Sequence, residues 1–311
     1  MVLNAVAVVL VQSFIFKEQN FKEKYAATWG LVTGSSSGIG RSIAERLASQ
    51  GINVVLVALD DDVFTKTLTA LRADYPSVEF REVRADLSGG SGDYMNAIKA
   101  RTADIDVNLV FNNAGYIIPG LFADLSIEGQ LKNYEVNSTC ALKITHHFVN
   151  DMLNKRINGL VTFTSSSASY IPGPMAAIYG CTKAMITHFA TSLAAEVQSK
   201  GIDVLVVHPS PINSGFYNNA GTMESLRFFQ KTARSPDVIT DCVFTSAGRM
   251  VVRDQGYFSI GSKLMLKVLD FNALTECIRY GIATSGDFVT MATQRKRPET
   301  PLASATAGGQ N

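Results

Sequence analysis

Tyr179 and Lys183 stand four residues apart in Tyr179-Gly180-Cys181-Thr182-Lys183, thirteen residues after Ser166. On a helix that spacing puts the phenol and the ammonium on one face. A cation there can hold a phenolate that would otherwise form only near pH ~10, so the tyrosine can act as acid or base near neutral pH. The hydroxyl of Ser166 can hold a substrate carbonyl beside that phenol, although Thr164-Ser165-Ser166-Ser167 offers three serines for the place. A Tyr-x-x-x-Lys pair also describes many solvated helix faces. Its meaning depends on what the rest of the chain builds around it.

The chain has 311 residues, 46% hydrophobic and 18% charged, enough for one large core. A net charge of +1 and the lack of a basic stripe speak against nucleic acid as a partner. Cys140, Cys181, Cys242 and Cys277 are scattered, without a Cys-x-x-Cys or a histidine pair for a metal, and read as reduced thiols. His146, His147, His188 and His208 read as structural or surface residues. Val2 to Phe16 is nearly all apolar, broken by Asn4, Gln12 and Ser13, and is followed by Lys17, Glu18, Lys22, Glu23 and Lys24. At about 15 residues the run is short of the ~20 that span a bilayer. It reads as a helix packed on the domain surface, as a membrane-associated anchor or as a targeting segment; a cleaved leader is disfavoured because the run lacks a positive start and a small-x-small site. Residues 1–26 are thus an apolar N-terminal segment and 27–293 a single domain, with 294–311, opening on Gln294-Arg295-Lys296-Arg297-Pro298, expected to be disordered.

From Trp29 onward, β-branched runs alternate with helical patterns, which predicts an α/β fold with a doubly wound, seven-stranded parallel sheet flanked by helices. Strands are expected near 29–33, 53–59, 78–83, 107–111, 159–165, 203–207 and 256–260. Helices are expected near 39–50, 62–74, 92–102, 127–154, 176–199 and 221–233. In such a sheet ligands bind beyond the carboxyl ends of the strands.

The first strand ends in Thr33-Gly34-Ser35-Ser36-Ser37-Gly38-Ile39-Gly40, a glycine-rich turn opening into a helix. Glycines let the backbone approach a pyrophosphate, and the helix start offers N–H groups and partial positive charge. The spacing matches neither G-x-G-x-x-G nor the Walker pattern. Asp86-Leu87 follows the third strand, where the carboxylate can accept from an adenine amino group or cap the next helix. Asn112-Asn113-Ala114-Gly115 follows the fourth, where small residues let a nucleotide lie against backbone or merely close a turn. Asn137 lies in the expected helix 127–154, placed to face the sheet end and support a water near Lys183. After the sixth strand, Pro209-Ser210-Pro211-Ile212-Asn213-Ser214 is a rigid loop able to meet a nicotinamide carboxamide.

Together these motifs resemble the short-chain dehydrogenase/reductase family over residues 27–260: Thr33-Gly34-x-x-x-Gly38-Ile39-Gly40, Asn112-Asn113-Ala114-Gly115, Asn137, Ser166 and Tyr179-x-x-x-Lys183, in family order and spacing. The resemblance implies a Rossmann fold and hydride transfer between a nicotinamide cofactor and a carbonyl or carbinol carbon. It implies Tyr179 as acid or base, Ser166 as carbonyl orienter, Lys183 as ribose ligand and pKa depressant, and Asn137 as proton-relay support. The implied cofactor residues are Gly34, Ser36, Ser37, Gly38, Ile39, Gly40, Leu59, Asp60, Asp86, Leu87, Asn113, Ala114, Gly115, Tyr179, Lys183, Pro209 and Ile212. The chain is most similar to the branch of 17β-hydroxysteroid dehydrogenases and very-long-chain 3-oxoacyl-CoA reductases, on Lys24-Tyr25, Trp29-x-x-Val32-Thr33-Gly34, Gly51-x-Asn53-Val54-Val55-Leu56 and Ser199-Lys200-Gly201. That implies NADP, a lipid-like substrate and an endoplasmic-reticulum membrane; NAD and the cytoplasm are the alternatives.

The chain departs from that pattern in two places. Where the branch carries an arginine just past the second strand for a 2′-phosphate, this chain has Leu59, then Asp60, Asp61 and Asp62, which suit a free 2′-hydroxyl or simply cap a helix. Ala58 stands where NAD-preferring members place an aspartate, Ser37 supplies no charge, and Arg41 is the cation within reach. Ser210 replaces a common glycine. Phe216, Tyr217, Met223, Leu226, Phe228 and Phe229 make the following segment an apolar lid or a piece of core. The long helices 127–154 and 176–199 offer a packing face for a homodimer. A nucleotide-binding sensor without turnover remains a second functional class.

Overall fold

The computed structural model describes residues 16–89, 93–217 and 223–294. Seven parallel strands form one sheet in the order β3-β2-β1-β4-β5-β6-β7. They are β1 Trp29–Thr33, β2 Asn53–Ala58, β3 Phe80–Arg84, β4 Val107–Asn112, β5 Gly159–Thr164, β6 Ile202–His208 and β7 Val252–Asp254. The winding reverses between β1 and β4, which opens a crevice at their carboxyl ends.

The strands are near-continuous apolar runs because helices bury both faces. On one face Val32, Val54 and Leu56 pack against α2 (Gly38–Ser49), α3 (Asp62–Asp74) and α9 (Asp237–Ser246). On the other, Leu31, Val55 and Val161 meet α4 (Asp93–Thr102), α6 (Cys140–Lys155) and α7 (Ala177–Val197). Period-2 alternation along each strand therefore feeds two cores.

The short α1 (Phe21–Tyr25) joins the first core ahead of the expected domain start. Asn20 caps it, Phe21 stacks on Phe244 at 4.2 Å, and the Tyr25 hydroxyl donates to Asp203 at 2.8 Å. The apolar run before it lies outside the described residues, apart from Phe16. So does the tail after Gln294. Among the described residues no helix is long and apolar enough to cross a membrane.

Three expectations change. The seventh strand is not 256–260: β7 ends at Asp254, and Gly256–Val268 is a helix, α10. Its alternating Tyr257, Phe258, Ser259 and Ile260 read locally as strand, but Ser210 Oγ accepts from Phe258 N and Ser259 N at 3.1 Å and starts a helix there. That also accounts for Ser210, which closes this cap and donates to Gln255 O at 2.7 Å. The helix 127–154 is α5 (Ile127–Tyr134), a π turn over Glu135–Thr139, and then α6. The expected helix 221–233 is α8 (Glu224–Lys231), with 221 and 222 outside the described residues. Its start is capped from far along the chain, Asp287 accepting from Glu224 N at 2.7 Å and Ser225 N at 3.0 Å. Asp287 belongs to α12 (Gly286–Gln294), which follows α11 (Phe271–Ile282).

Because Phe21 is fully buried against Phe244, Phe21→Ala should destabilise the domain by roughly 3–5 kcal/mol. Urea denaturation checks this, and a loss below about 1 kcal/mol would mean that α1 is not part of the core.

Candidate active site

The turn after β1 folds back onto β2, with Gly34 N and Ser35 N both donating to Val57 O, at 2.8 and 3.4 Å. Thr67 on α3 donates to Ser36 O at 2.8 Å and fixes the loop's outer limb. Gly34 has φ 65°, and a Cβ there would lie 2.9 Å from Ala114 Cα. At Gly40 a Cβ would lie 2.2 Å from Gly34 O, so helix α2 can approach the turn only without a side chain. Ser37 precedes α2 without a side-chain cap. The first-turn N–H groups therefore face the crevice with their helix-dipole charge uncompensated by the chain.

Asn113 ties this cradle to the next two strands. Its amide donates to Thr33 O at 3.2 Å, and its carbonyl accepts from Thr164 Oγ1 at 3.1 Å. Thr33 Oγ1 in turn accepts from Asn113 N and Ala114 N at 3.0 Å. The ends of β1, β4 and β5 are thus one hydrogen-bonded unit.

Tyr179 lies in the first turn of α7 and Lys183 one turn on, its Nζ 5.6 Å from the phenol ring centroid. Lys183 is 3% exposed, and Nζ donates to Thr164 O at 2.8 Å. Of the three serines only Ser166 faces the phenol. Ser165 Oγ turns into α7, donating to Lys183 O at 2.9 Å, and Ser167 is buried in the following short 3-10 turn. The three-serine ambiguity is thereby resolved by packing.

The electrostatics differ from the expectation of a lowered phenol. Burial pushes Tyr179 up to about 12, and the hydrogen bond with Ser166 opposes it. Burial also pulls Lys183 down to about 8. Desolvation is the largest influence on the phenol, so Tyr179 is protonated at neutral pH, as a proton donor must be.

Asn137 sits in the π turn, a feature common at functional sites. Its carbonyl accepts from Tyr116 N at 2.9 Å and its amide donates to Tyr116 O at 2.8 Å. The amide expected to support a water is thus engaged with backbone. A Cβ on Gly115 would come 3.1 Å from Asn137 Oδ1 and 3.4 Å from Lys183 Nζ, so Gly115 keeps open the gap between them.

The remaining predicted residues line the same crevice less uniformly. Asp86 accepts from Ser88 N and Ser88 Oγ, both at 2.8 Å, and so closes a turn; Leu87 is buried. Leu59 is exposed, and Asp61 rather than Asp60 caps α3, accepting from Phe64 N at 2.7 Å. Pro209 precedes a loop pinned by the bridge between Ile212 and Arg234. Arg84, missed in the sequence, crosses from the end of β3 to Asp60 at 2.5 Å and also pairs with Glu82 at 2.8 Å. Its place two residues before Asp86 is the signal that could have found it.

On the substrate side Phe216 lies 5.6 Å from the Tyr179 ring, and Ile118, Phe122, Leu125 and Ile178, together with the amides of Gln130 and Asn133, line a small recess beside the phenol. Met223 and Leu226 pack with Met175, Phe229 and Met291, joining α8 to α12. The side chain of Tyr217 lies outside the described residues.

The family model for short chain dehydrogenases matches residues 28–225. Among curated proteins, the very-long-chain 3-oxoacyl-CoA reductase of Podospora anserina is 32% identical over 202 residues, 64% of this chain and 59% of that protein. An inactive hydroxysteroid dehydrogenase-like protein 1 of Pongo abelii is 32% identical over 188 residues, 60% of this chain and 56% of that one. The chain spans about three-fifths of the length of the first curated relatives it matches. A solved 7β-hydroxysteroid dehydrogenase is similar with a TM-score of 0.73 at 26% identity, over 84% of this chain and 99% of that chain.

Lys183 falls from 10.5 to about 8 on burial, which costs roughly 3 kcal/mol of stability at neutral pH. Between those values the folded protein binds fewer protons than the unfolded chain, so the penalty shrinks as pH rises through about 8. In urea titrations Lys183→Met should therefore be more stable than the parent at pH ~7 and lose that advantage by pH ~10. A variant less stable than the parent at neutral pH would contradict this.

Proposed function

Because the chain belongs to the short-chain dehydrogenase family, we propose that it is a nicotinamide-dependent oxidoreductase reducing a lipid-like ketone with NADP(H). The observation that carries this reading is the protonated Tyr179 phenol beside Ser166, at the mouth of a glycine cradle that side chains would fill. The residues fit a dinucleotide: Gly34 to Gly40 and the start of α2 for the pyrophosphate, Asn113 to Gly115 for the nucleotide face, and Lys183 for a ribose. Leu59, Asp60, Asp86 and Leu87 belong to the adenosine side, Pro209 and Ile212 to the carboxamide side. The bound nicotinamide supplies a hydride.

The chain's own residues do the rest. Ser166 holds the carbonyl oxygen, and Tyr179 gives that oxygen its proton as charge develops on it. A phenol that burial holds protonated suits the donor role. Lys183, fixed by Thr164 O, orients the ribose and supports the phenolate left behind. Asn137, clamped on Tyr116, holds the Gly115 backbone open beside Lys183.

Phe122 and Phe216 beside the phenol support a 3-oxoacyl thioester or a keto-steroid over a sugar. One relative is named for the former class. Another is named inactive, so the fold alone does not decide turnover; this chain retains Asn137, Ser166, Tyr179 and Lys183. A lipid-like substrate fits work at the endoplasmic-reticulum membrane. A second copy of the chain would pack on the groove between α6 and α7, where Leu142 and Phe189 lie among Lys99, Lys143, His146 and Glu196.

For the cofactor's 2′-phosphate we assign Arg84. Its pair with Asp60 is a surface one, with Asp60 70% exposed, and such a pair is worth at most about 1 kcal/mol. A phosphate of about −2 charge can displace Asp60 there while Arg84 keeps its pair with Glu82.

Two measurements test the proposal. Incubation with 4-deuterated NADPH and a 3-oxoacyl-CoA panel should place one deuterium on the new carbinol carbon, read by mass spectrometry; no transfer to any ketone in acyl and steroid panels would refute the reaction. In calorimetric titrations Arg84→Ala should weaken NADPH binding about tenfold or more and leave NADH nearly unchanged. A parent protein that binds NADH more tightly than NADPH would overturn the cofactor assignment.

A further inference from the structure

His208 is 1% exposed at the end of β6, and nothing in the reaction uses it. It is the centre of a buried chain that crosses four elements. His208 Nδ1 lies 2.9 Å from Asp254 Oδ1 on β7, and Asp254 Oδ2 accepts from Lys263 of α10 at 2.7 Å. On its other side, Nε2 lies 3.0 Å from Thr187 Oγ1 of α7. Thr187 Oγ1 lies 2.7 Å from Ser165 Oγ, which reaches Lys183 O at 2.9 Å.

Hydrogen counting gives this chain a direction. Asp254 only accepts when ionised, so Nδ1 must carry a hydrogen. The three links from Nε2 to Thr187, Thr187 to Ser165 and Ser165 to the Lys183 carbonyl need three hydrogens, and the two hydroxyls supply two. The third can come only from Nε2. With both nitrogens protonated every link closes; with a neutral imidazole one link is open.

We propose that His208 is a positioning residue for the Tyr179–Lys183 helix, acting through the Asp254–His208–Thr187–Ser165 chain, which closes fully when both imidazole nitrogens carry hydrogen. The chain ends where position matters. Ser165 precedes Ser166, and Lys183 is gripped twice by the same strand end, its Nζ by Thr164 O and its carbonyl by Ser165 Oγ. Closing the last link fixes the first turns of α7, and so the phenol, against the Ser166 hydroxyl. Misplacement by even an ångström there is expensive in rate.

The groups that face the imidazole are Asp254 from β7, Lys263 from α10, the Tyr170 ring at 5.3 Å edge-on, and the Thr187 hydroxyl from α7. Burial, foremost, and Lys263 push the imidazole below its usual 6.5, while Asp254 pulls it up. The complete chain therefore belongs to the acid side, and it opens as pH rises through a value below 6.5.

This inference rests on Tyr179 and Lys183 carrying the reaction, and its test separates the two. Asp254→Asn can donate its amide to Nδ1 and keep its carbonyl for Lys263. The imidazole then carries its hydrogen on Nε2 without charge, and the chain closes at every pH. Reductive kcat of the parent should fall roughly tenfold as pH rises from the acid side through the imidazole step, which burial places below the ordinary 6.5. Asp254→Asn should hold the acid-side value across that step, and Thr187→Val, which breaks the chain, should stay at the low value throughout. Nitrogen-15 imidazole spectra read the same event without turnover: Nε2 of His208 should gain its hydrogen with the step in the parent and carry it throughout in Asp254→Asn. The proposal is overturned by an Asp254→Asn profile that keeps the parent's inflection, by a Thr187→Val variant within about twofold of the parent on the acid plateau, or by His208 in Asp254→Asn protonated on Nδ1 alone. Correct imidazole spectra with no turnover on any ketone would uphold the hydrogen count and instead remove the catalytic reading.

Discussion

Among the described residues one ammonium, that of Lys183, is buried, at 3% exposure, and much of the site follows from keeping it there. Burial alone would discharge or expel it. The end of β5 meets it with the Thr164 carbonyl at 2.8 Å, and α7 carries it one turn below Tyr179. That same burial lifts the phenol to about 12. A proton donor and a positive charge are therefore set side by side without neutralising one another.

The crevice is placed by topology and shaped by what glycine omits. The reversal of winding between β1 and β4 leaves their carboxyl ends open, and Asn113 joins those ends to β5. Gly34, Gly40 and Gly115 leave space where side chains would strike Ala114, the Gly34 carbonyl, and Asn137 with Lys183. The phosphate cradle, the phenol and the buried cation thus share one rim of the sheet.

Most of that rim was legible in the sequence, because its residues act over short spans. The glycine turn stands between a strand and a helix, and Tyr179 and Lys183 are one helical turn apart. What escaped was contact at a distance. Gly256 to Ile260 alternates like a strand but becomes helix because Ser210, on a neighbouring strand end, caps it. Asn137 was expected to support a water near Lys183, whereas a π turn brings its amide to the Tyr116 backbone. Arg84 arrives from β3 rather than β2, and Asp287 caps α8 from the last helix. The phenol's acidity escaped for another reason: spacing records the nearby cation but not the desolvation that raises the phenol.

The central claim is that the Tyr179 phenol delivers the proton to the reduced carbonyl. The direct measurement is a single-turnover reaction of Tyr179→Phe with NADPH bound, followed by loss of the reduced-nicotinamide absorbance on mixing with a substrate ketone. Phenylalanine keeps the ring and its contact with Phe216 while removing only the hydroxyl. The chemical step should slow by about a thousandfold with NADPH affinity nearly unchanged. A rate within a few-fold of the parent would contradict the assignment of Tyr179 as the acid.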